Sequence, residues 1–184
     1  MKIIDQPLSG LFVIEPAVFS DDRGYFFESF NQEKFNNLIG KQIDFVQDNQ
    51  SLSSKDVVRG LHYQLPPFAQ GKLVRVARGS VLDVAVDIRK GSPTFGQHFA
   101  LELNDLNHLM MFIPEGFAHG FSALEDHTTF LYKCTNYYHK ASERAILFND
   151  PALNINWQVN NAIVSGKDLE APLMQDAEIA FVYG

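Results

Sequence analysis

The stretch KLVRVARGSVLDVAVDIR, from Lys72 to Arg89, decides the fold class of this 184-residue chain. Two apolar runs, Lys72–Ala77 and Val81–Arg89, flank Arg78-Gly79-Ser80, a sequence that is typical of a tight turn. Alternate residues of a strand lie on opposite faces, and both faces of the second run are partly apolar. We therefore predict a β-hairpin whose second strand is buried on both sides.

Short strands and turns recur along most of the chain, and one segment only has the pattern of a helix. That helix is predicted at Gln32–Ile39 and ends at Gly40. The other predicted strands are Phe12–Glu15, Tyr25–Phe30, Phe45–Ser51, Val57–Gln64, Phe99–Leu103, Leu109–Ile113, Phe117–Ala123 and Thr128–Tyr138. Many short strands with little helix indicate a sandwich or barrel, and the concave interior of a jelly roll suits a ligand.

Composition is that of an ordinary globular protein, with 46% hydrophobic and 20% charged residues. No repeat or linker divides the sequence, so we expect a single domain over residues 1–184. No apolar run approaches the about 18 residues of a membrane span, and the N-terminus lacks a signal peptide's apolar region. Cys134 is the only cysteine, which favours a cytoplasmic location. A net charge of −7 argues against nucleic-acid and membrane partners.

His62, Lys72 and Tyr132 share their strand faces with small or apolar residues. The neighbours on the same face are Val58 and Gly60 for His62, Val74 and Val76 for Lys72, and Phe130 and Cys134 for Tyr132. The same alternation puts Arg59 on the opposite face, together with Leu61. Three polar residues on separate strands can converge inside a barrel, although alternation alone does not require it.

A histidine, a lysine and a tyrosine in one cavity suit epimerisation next to a ketone. Histidine, with an ordinary pKa of about 6.5, is a suitable base for the proton beside a carbonyl. A lysine stabilises the enolate oxygen, a contact worth roughly 2.7–4 kcal/mol, and a tyrosine hydroxyl can return a proton to the opposite face. Each residue also has a structural explanation, as a satisfied strand histidine, a solvated lysine or a core tyrosine.

The segment PEGFAH, Pro114 to His119, resembles the second metal motif of cupins. The partner motif usually supplies two histidines one residue apart and then a glutamate. Here His62-Tyr63-Gln64 supplies one histidine, and no acid follows through Gln70. Because too few ligands remain, we expect no metal site. A metal-dependent cupin enzyme stays as an alternative, which stoichiometric bound metal would support.

A phosphorylated ligand would have to be held by side chains, because the sequence has no glycine-rich phosphate loop. Arg23, Arg59, Lys72 and Lys167 are available for that contact. Each of them alone is more often a solvated surface charge.

A series of motifs in order identifies the chain as a member of the dTDP-4-dehydrorhamnose 3,5-epimerase family. The decisive stretches are Val57–Lys72 and IPEGFAHGF, Ile113–Phe121. The resemblance extends from GLFVIEP at Gly10 to SGKD at Ser165 and includes DDRGYFFESF, QDNQSLS, RGLHYQ, FLYKCTNYY and LFNDPALNINW. It implies an all-β, cupin-like double-stranded β-helix (jelly roll) with a few short helices.

The resemblance also implies the site residues. His62 resembles the general base, Asp168 the carboxylate that orients it, Tyr132 the acid on the other face, and Lys72 the lysine beside the C4 oxygen. From sequence alone, an ordinary acid at a helix start or in a loop is the favoured explanation of Asp168. Tyr138 resembles the aromatic residue that stacks on thymine, although strand packing is the simpler explanation. The other implied substrate-contacting residues are Arg23, Glu28, Gln47, Asn49, Arg59, His119, Glu143 and Lys167.

The family's reaction inverts C3 and C5 of dTDP-4-dehydro-6-deoxy-D-glucose and gives dTDP-4-dehydro-L-rhamnose, a step of dTDP-L-rhamnose biosynthesis. The resemblance implies that no cofactor is used and that the chain is a homodimer with an exchanged N-terminal strand. Two alternatives stay open at this point. One is an epimerase of a single centre, C3 or C5, and the other is a non-catalytic jelly roll that binds a nucleotide sugar.

Overall fold

The computed structural model describes residues 1–184, and strands are the main regular structure of the chain. There are two short α-helices, α1 (Gln32–Ile39) and α2 (Gly166–Leu169), and two 3₁₀ turns at Lys140–Ser142 and Met174–Asp176. Neither α-helix is long and apolar enough to cross a membrane. The strands are β1 (Lys2–Leu8), β2 (Leu11–Glu15), β3 (Val18–Asp21), β4 (Gly24–Phe27), β5 (Gln47–Ser53), β6 (Val57–Gln64), β7 (Lys72–Arg78), β8 (Ser80–Asp87), β9 (His98–Asn104), β10 (Met110–Ile113), β11 (Phe117–Ala123), β12 (Thr128–Cys134), β13 (Glu143–Ala145) and β14 (Ile163–Val164).

Two six-stranded sheets form the body of the fold. The first has the order β1-β2-β10-β7-β12-β5. The second has the order β13-β6-β11-β8-β9, and β14 runs parallel to the first residues of β6. All other pairings are antiparallel, and β3 and β4 form a separate hairpin. The predicted all-β, cupin-like jelly roll with a few short helices is confirmed.

The prediction of a hairpin at Lys72–Arg89 is wrong. β7 lies between β10 and β12 in the first sheet, whereas β8 lies between β11 and β9 in the second. Gly79, with φ +79°, turns the chain from one sheet to the other. A Cβ there would lie 2.5 Å from Thr128 Oγ1, so the corner is also too crowded for a side chain. β7 and β8 therefore share no hydrogen bonds as strand neighbours. Their side chains meet instead in the core between the two sheets.

The burial of β8 on both faces, which its alternation predicts, is confirmed. Val81 and Ala85 pack into the core between the sheets, with Val74 and Phe130 of the first sheet. The alternate residues of β8 face outward and would be exposed on an open sheet. They pack instead under the C-terminal segment, in a cluster that includes Leu82, Val84, Val86, Ile146, Phe148, Trp157 and Phe181. Each face of the strand therefore removes apolar surface from water.

The outer face of the first sheet is covered by α1, which spans the residues that the sequence predicts. Asn31 caps its start by accepting a hydrogen bond from the Lys34 amide at 3.0 Å, and Gly40 ends it in the left-handed region. Phe35 is fully buried and meets Phe112 of β10 edge to face. A second cluster of side chains thereby closes this side of the sheet.

Strand boundaries differ from the prediction where tertiary contacts decide them. The strands Val57–Gln64 and Phe117–Ala123 are confirmed over the same residues. The strand predicted to reach Tyr138 ends at Cys134, because its partner β5 begins opposite that residue. β1 was not predicted, since KIIDQPL has no regular alternation and its ladder with β2 is irregular.

Candidate active site

A cavity between the two sheets is lined by His62 of β6, Lys72 of β7 and Tyr132 of β12. It has two adjoining parts, of about 510 and 350 Å³, and these three residues line both. His62 stands on the second sheet and Tyr132 on the first, so the two side chains approach from opposite walls. The structure thus brings together the three residues that the sequence placed on separate strands.

An irregularity in β6 sets the position of Arg59. Between the pairs His119↔His62 and Phe121↔Arg59, β11 advances by two residues and β6 by three. The extra residue reverses the alternation, as a β-bulge does. The prediction that Arg59 lies on the face opposite His62 is therefore wrong, because both line the same cavity.

Gly60 allows this irregularity. Its φ is +124°, and a Cβ there would lie 2.4 Å from the Cα of Gly120 on β11. Only a pair of glycines lets β6 and β11 approach this closely at the floor of the cavity.

Asp168 holds the ring of His62. Its Oδ1 lies 2.6 Å from His62 Nε2, and its side chain is almost fully buried. Ser165 caps the start of α2, and its hydroxyl accepts a hydrogen bond from the Asp168 amide at 3.2 Å. Burial raises the pKa of the Asp168 carboxyl, but the hydrogen bond and charge of His62, together with hydrogen bonds from Gly60 and Ser165, outweigh burial and lower it. The carboxylate therefore fixes the proton of a neutral ring on Nε2 and leaves Nδ1 free to act as a base.

Burial also changes the pKa values of the other two residues. It lowers the pKa of the Lys72 ammonium, against the opposing influence of Cys134, Asp83 and Glu143. It raises the pKa of the Tyr132 phenol, which therefore keeps its proton at neutral pH. A protonated phenol and a partly desolvated ammonium are suitable donors to a substrate oxygen or carbanion.

Asp83 is a site residue that sequence reasoning missed. It is fully buried on β8, and its two oxygens lie 3.1 and 2.9 Å from Nε2 of His119. Burial lowers the pKa of His119, although the charge of Asp83 opposes this. The sequence does contain a signal for Asp83, because an acid that alternation places on the inward face of an apolar strand needs a buried partner. Asp83 therefore orients His119 much as Asp168 orients His62.

The smaller part of the cavity has a wall of polar side chains around Tyr138. The Tyr138 hydroxyl donates to Glu143 at 2.9 Å, and Lys167 forms an ion pair with the same carboxylate. Burial raises the pKa of Glu143, but hydrogen bonds from Lys167 and Tyr138 outweigh it and lower the pKa. Gln47 accepts from the Tyr138 amide at 2.9 Å and donates to Asn49 at 3.0 Å. The Tyr138 ring itself is half exposed and offers a flat face to a ligand.

Arg23 and Glu28 do not line this cavity. Arg23 lies in the turn of the exposed β3–β4 hairpin, where its guanidinium is paired with Asp21. Glu28 follows that hairpin and is paired with Lys34 of α1 at 2.9 Å. The remaining predicted contact residues, Gln47, Asn49, Arg59, His119, Tyr138, Glu143 and Lys167, lie at or directly beside the cavity.

Two further features bear on what the site can hold. Cys134 is buried beside Lys72 and accepts a weak hydrogen bond from Asn49 at 3.6 Å. No group of three or more His, Cys, Asp and Glu side chains in the chain is arranged to hold a metal ion.

Known proteins resemble this chain over nearly its whole length. The model of the dTDP-4-dehydrorhamnose 3,5-epimerase family matches residues 5–176. The epimerases of that name from Shigella flexneri and Salmonella typhimurium are 51% and 52% identical, over 97% and 96% of this chain and 98% and 97% of theirs. The crystal structure of a Legionella pneumophila epimerase in complex with dTDP-4-keto-L-rhamnose is 46% identical. It has a TM-score of 0.96 and covers 100% of this chain and 98% of its own. The chain therefore belongs to the dTDP-4-dehydrorhamnose 3,5-epimerase family.

Proposed function

We propose that the chain inverts C3 and C5 of dTDP-4-dehydro-6-deoxy-D-glucose to give dTDP-4-dehydro-L-rhamnose, in dTDP-L-rhamnose biosynthesis. The observation that carries the proposal is a histidine–carboxylate pair that faces a protonated tyrosine across one cavity, with the half-buried Lys72 on the strand beside that of the tyrosine. The membership of the family gives the substrate class, and the geometry gives the chemistry.

His62 acts as the base in this proposal. The C4 ketone acidifies the protons at both C3 and C5, and Nδ1 of His62 removes one of them. The negative charge that develops on the C4 oxygen is stabilised by the Lys72 ammonium. Asp168 stabilises the resulting imidazolium without taking its proton.

Tyr132 then delivers its proton to the opposite face of the carbanion, which inverts the centre. After this step His62 carries one additional proton and Tyr132 has lost one, so both must exchange protons with water before the second inversion. The opposite placement of the two residues on the two sheets supports this division of roles.

The nucleotide occupies the smaller part of the cavity in this proposal. Tyr138 stacks on the thymine, and Arg59, Lys167 and the polar wall that includes Gln47 contact the nucleotide sugar. His119, held by Asp83, contributes a further polar contact near the reacting carbons. No cofactor enters the mechanism, since proton transfer alone accounts for both inversions.

The proposal includes a homodimer in which Arg23 and Glu28 reach the cavity of the partner. The β3–β4 hairpin exposes large apolar side chains, which is unusual for a surface free in water. Phe19 is 66% exposed and Phe26 69%, and Tyr25 between them is also exposed. Exchange of this N-terminal segment would bury these side chains and bring Arg23 to a site that it does not reach within its own chain.

We further propose that residues 1–184 act as one jelly-roll domain in the cytoplasm. The packing of the C-terminal segment on the second sheet supports a single domain. The cytoplasmic location is supported by Cys134, which is single, unpaired and buried, because no disulfide contributes to the fold.

The product of the reaction tests this proposal. The purified protein is incubated with dTDP-4-dehydro-6-deoxy-D-glucose, and the ring coupling constants of the product are read by NMR. We expect the L-rhamno configuration, with both centres inverted. A product inverted at one centre would replace the proposal with a single-centre epimerase. Binding without conversion would leave a non-catalytic nucleotide-sugar-binding protein.

A further inference from the structure

The Ser51 hydroxyl is the one buried side-chain polar atom of this chain that has no hydrogen-bond partner. Ser51 lies on β5, where Gln47, Asn49 and Ser53 project from the same side of the strand. Each of those three side chains makes a hydrogen bond, to Asn49, Cys134 and Arg59 respectively. A buried hydroxyl without a partner is rare in folded proteins and calls for an explanation.

The position of Ser51 explains why its hydroxyl has no partner in the free protein. It lines the larger part of the cavity together with His62, Lys72 and Tyr132, and it does not line the part around Tyr138 and Glu143. On the neighbouring strand it pairs with Phe130, two residues from Tyr132. A serine side chain moves between staggered rotamers easily, so its hydroxyl can turn to a group that enters the cavity.

The surroundings of Ser51 leave the ligand as the available partner. The wall of this part of the cavity includes the apolar side chains of Val58, Phe121 and Phe130, which offer the Ser51 hydroxyl no partner. Arg59 is engaged elsewhere, because its Nε donates to Ser53 at 3.2 Å. A polar ligand in this part of the cavity therefore meets the unpaired Ser51 hydroxyl beside the side chains of His62, Lys72 and Tyr132.

We propose that Ser51 contacts the sugar and that its hydroxyl forms a hydrogen bond with an oxygen of the 4-keto sugar rather than with the nucleotide. This proposal rests on the proposed function, since the sugar must lie where His62, Lys72 and Tyr132 meet. Ser51 then helps to hold the ring while protons are removed from one face and returned to the other.

Ser51→Ala tests the proposal, with Ser122→Ala as the matched control. Ser122 is also a serine buried in a strand, but its hydroxyl already donates to the Trp157 carbonyl at 2.6 Å. Both variants are compared with the wild type by thermal unfolding, by kcat/KM for the dTDP-4-keto sugar and by the affinity for dTDP alone.

Ser51→Ala removes no hydrogen bond of the free protein, so we expect an unchanged or raised Tm. We expect kcat/KM to fall about 3- to 10-fold, the worth of one hydrogen bond, and the dTDP affinity to stay within about twofold. Ser122→Ala should show the reverse, a lower Tm with an unchanged kcat/KM per folded molecule. The dTDP measurement separates a sugar contact from a nucleotide contact.

An unchanged kcat/KM in Ser51→Ala would overturn the proposal, and so would an equal loss of affinity for dTDP. The wild-type reaction separates this failure from that of the proposed function. If the wild type does not convert the keto sugar, the proposed function fails first. If the wild type is active and Ser51→Ala is equally active, only the assignment of Ser51 fails.

Discussion

His62 owes its orientation to a residue more than a hundred positions away in the sequence. Asp168 reaches it from α2, at the far end of the chain, and an irregularity at Gly60 brings Arg59 to the same wall. The sequence alone could identify His62 as a strand histidine on a face with small neighbours. It could not pair that histidine with Asp168, because no periodicity relates residues so far apart. That pairing entered through the resemblance to a family.

Asp168→Asn tests the orientation of His62. The amide has nearly the shape of the carboxylate, but it carries no charge and can present an N–H to Nε2, which would stabilise the wrong tautomer of the ring. We expect kcat to fall about 10²- to 10⁴-fold, with a smaller change in KM. Steady-state kinetics with the keto sugar measure this, with circular dichroism as the control for folding. A loss confined to KM would show that Asp168 binds the substrate and does not orient the base.

The alternation of apolar residues along a strand predicts which of its faces are buried, but it does not predict which strands lie beside it. The two apolar faces of β8 follow directly from its sequence, but its partners are β9 and β11, which no local signal identifies. The turn at Gly79 fits a hairpin and a crossing between sheets equally well. Likewise, the alternation of β6 is regular in the sequence and is interrupted in the structure by one extra residue. Strand order is decided by packing across the core.

Gly60→Ala should destabilise the fold more than Gly24→Ala. The two glycines have nearly equal φ values, +124° and +126°, so the backbone strain of an added side chain is similar. Nothing lies within 4 Å of a Cβ at Gly24, whereas a Cβ at Gly60 would strike Gly120. We expect a cost of about 1–2 kcal/mol at Gly24 and at least about 3 kcal/mol at Gly60. Urea unfolding measures both, and equal costs would contradict the close approach of β6 and β11.

Asp87 is the last residue of β8, and its carboxylate makes the free energy of unfolding depend on pH. Burial raises its pKa, but hydrogen bonds from Arg89, Ser92 and Thr94 outweigh burial and lower the pKa from 3.8 to about 2. A carboxyl with a lowered pKa in the folded state stabilises the protein above its unfolded pKa, and this contribution is lost as the pH falls toward 2.

Asp87→Asn should therefore lower the free energy of unfolding by about 2 kcal/mol at pH 7, and by less as the pH falls from 4 to 2. Asp22→Asn is the control, because Asp22 is exposed and makes no side-chain hydrogen bond. Urea unfolding at several pH values measures the difference. A destabilisation that stays constant down to pH 2 would show that Asp87 acts by packing and not by its charge.

At the scale of the whole molecule, one chain holds most of the proposed site but not all of it. Residues from both sheets and from α2 converge on the cavity, whereas Arg23 remains on an apolar, exposed hairpin. Composition and alternation predict the β-rich fold with its buried strands, and the motifs predict the family. Neither indicates whether Arg23 acts in the cavity of its own chain or in that of a second copy, because the two copies of the proposed homodimer have the same sequence.

A mixed dimer of two impaired variants tests whether Arg23 acts in the partner's cavity. Arg23→Ala should raise KM about 10- to 100-fold, the worth of a charged hydrogen bond to phosphate, and His62→Ala should abolish turnover. In a mixed dimer, the subunit with an intact His62 receives Arg23 from its partner. Mixed dimers isolated after co-expression with two affinity tags have one intact site of two, so they should show roughly half of the wild-type activity at low substrate concentration. No restoration in the mixed dimer would place Arg23 in its own subunit's site or outside any site.

In the proposed mechanism, His62 removes protons from both carbons beside the C4 ketone. The most direct measurement follows the C3 and C5 protons of dTDP-4-dehydro-6-deoxy-D-glucose by NMR in D₂O, with the wild type and His62→Ala side by side. We predict that the wild type exchanges both protons for deuterium and that the variant exchanges neither, although it still binds dTDP. Exchange at both carbons by His62→Ala at the wild-type rate would contradict the assignment of the base, and exchange at one carbon only by the wild type would contradict the double inversion.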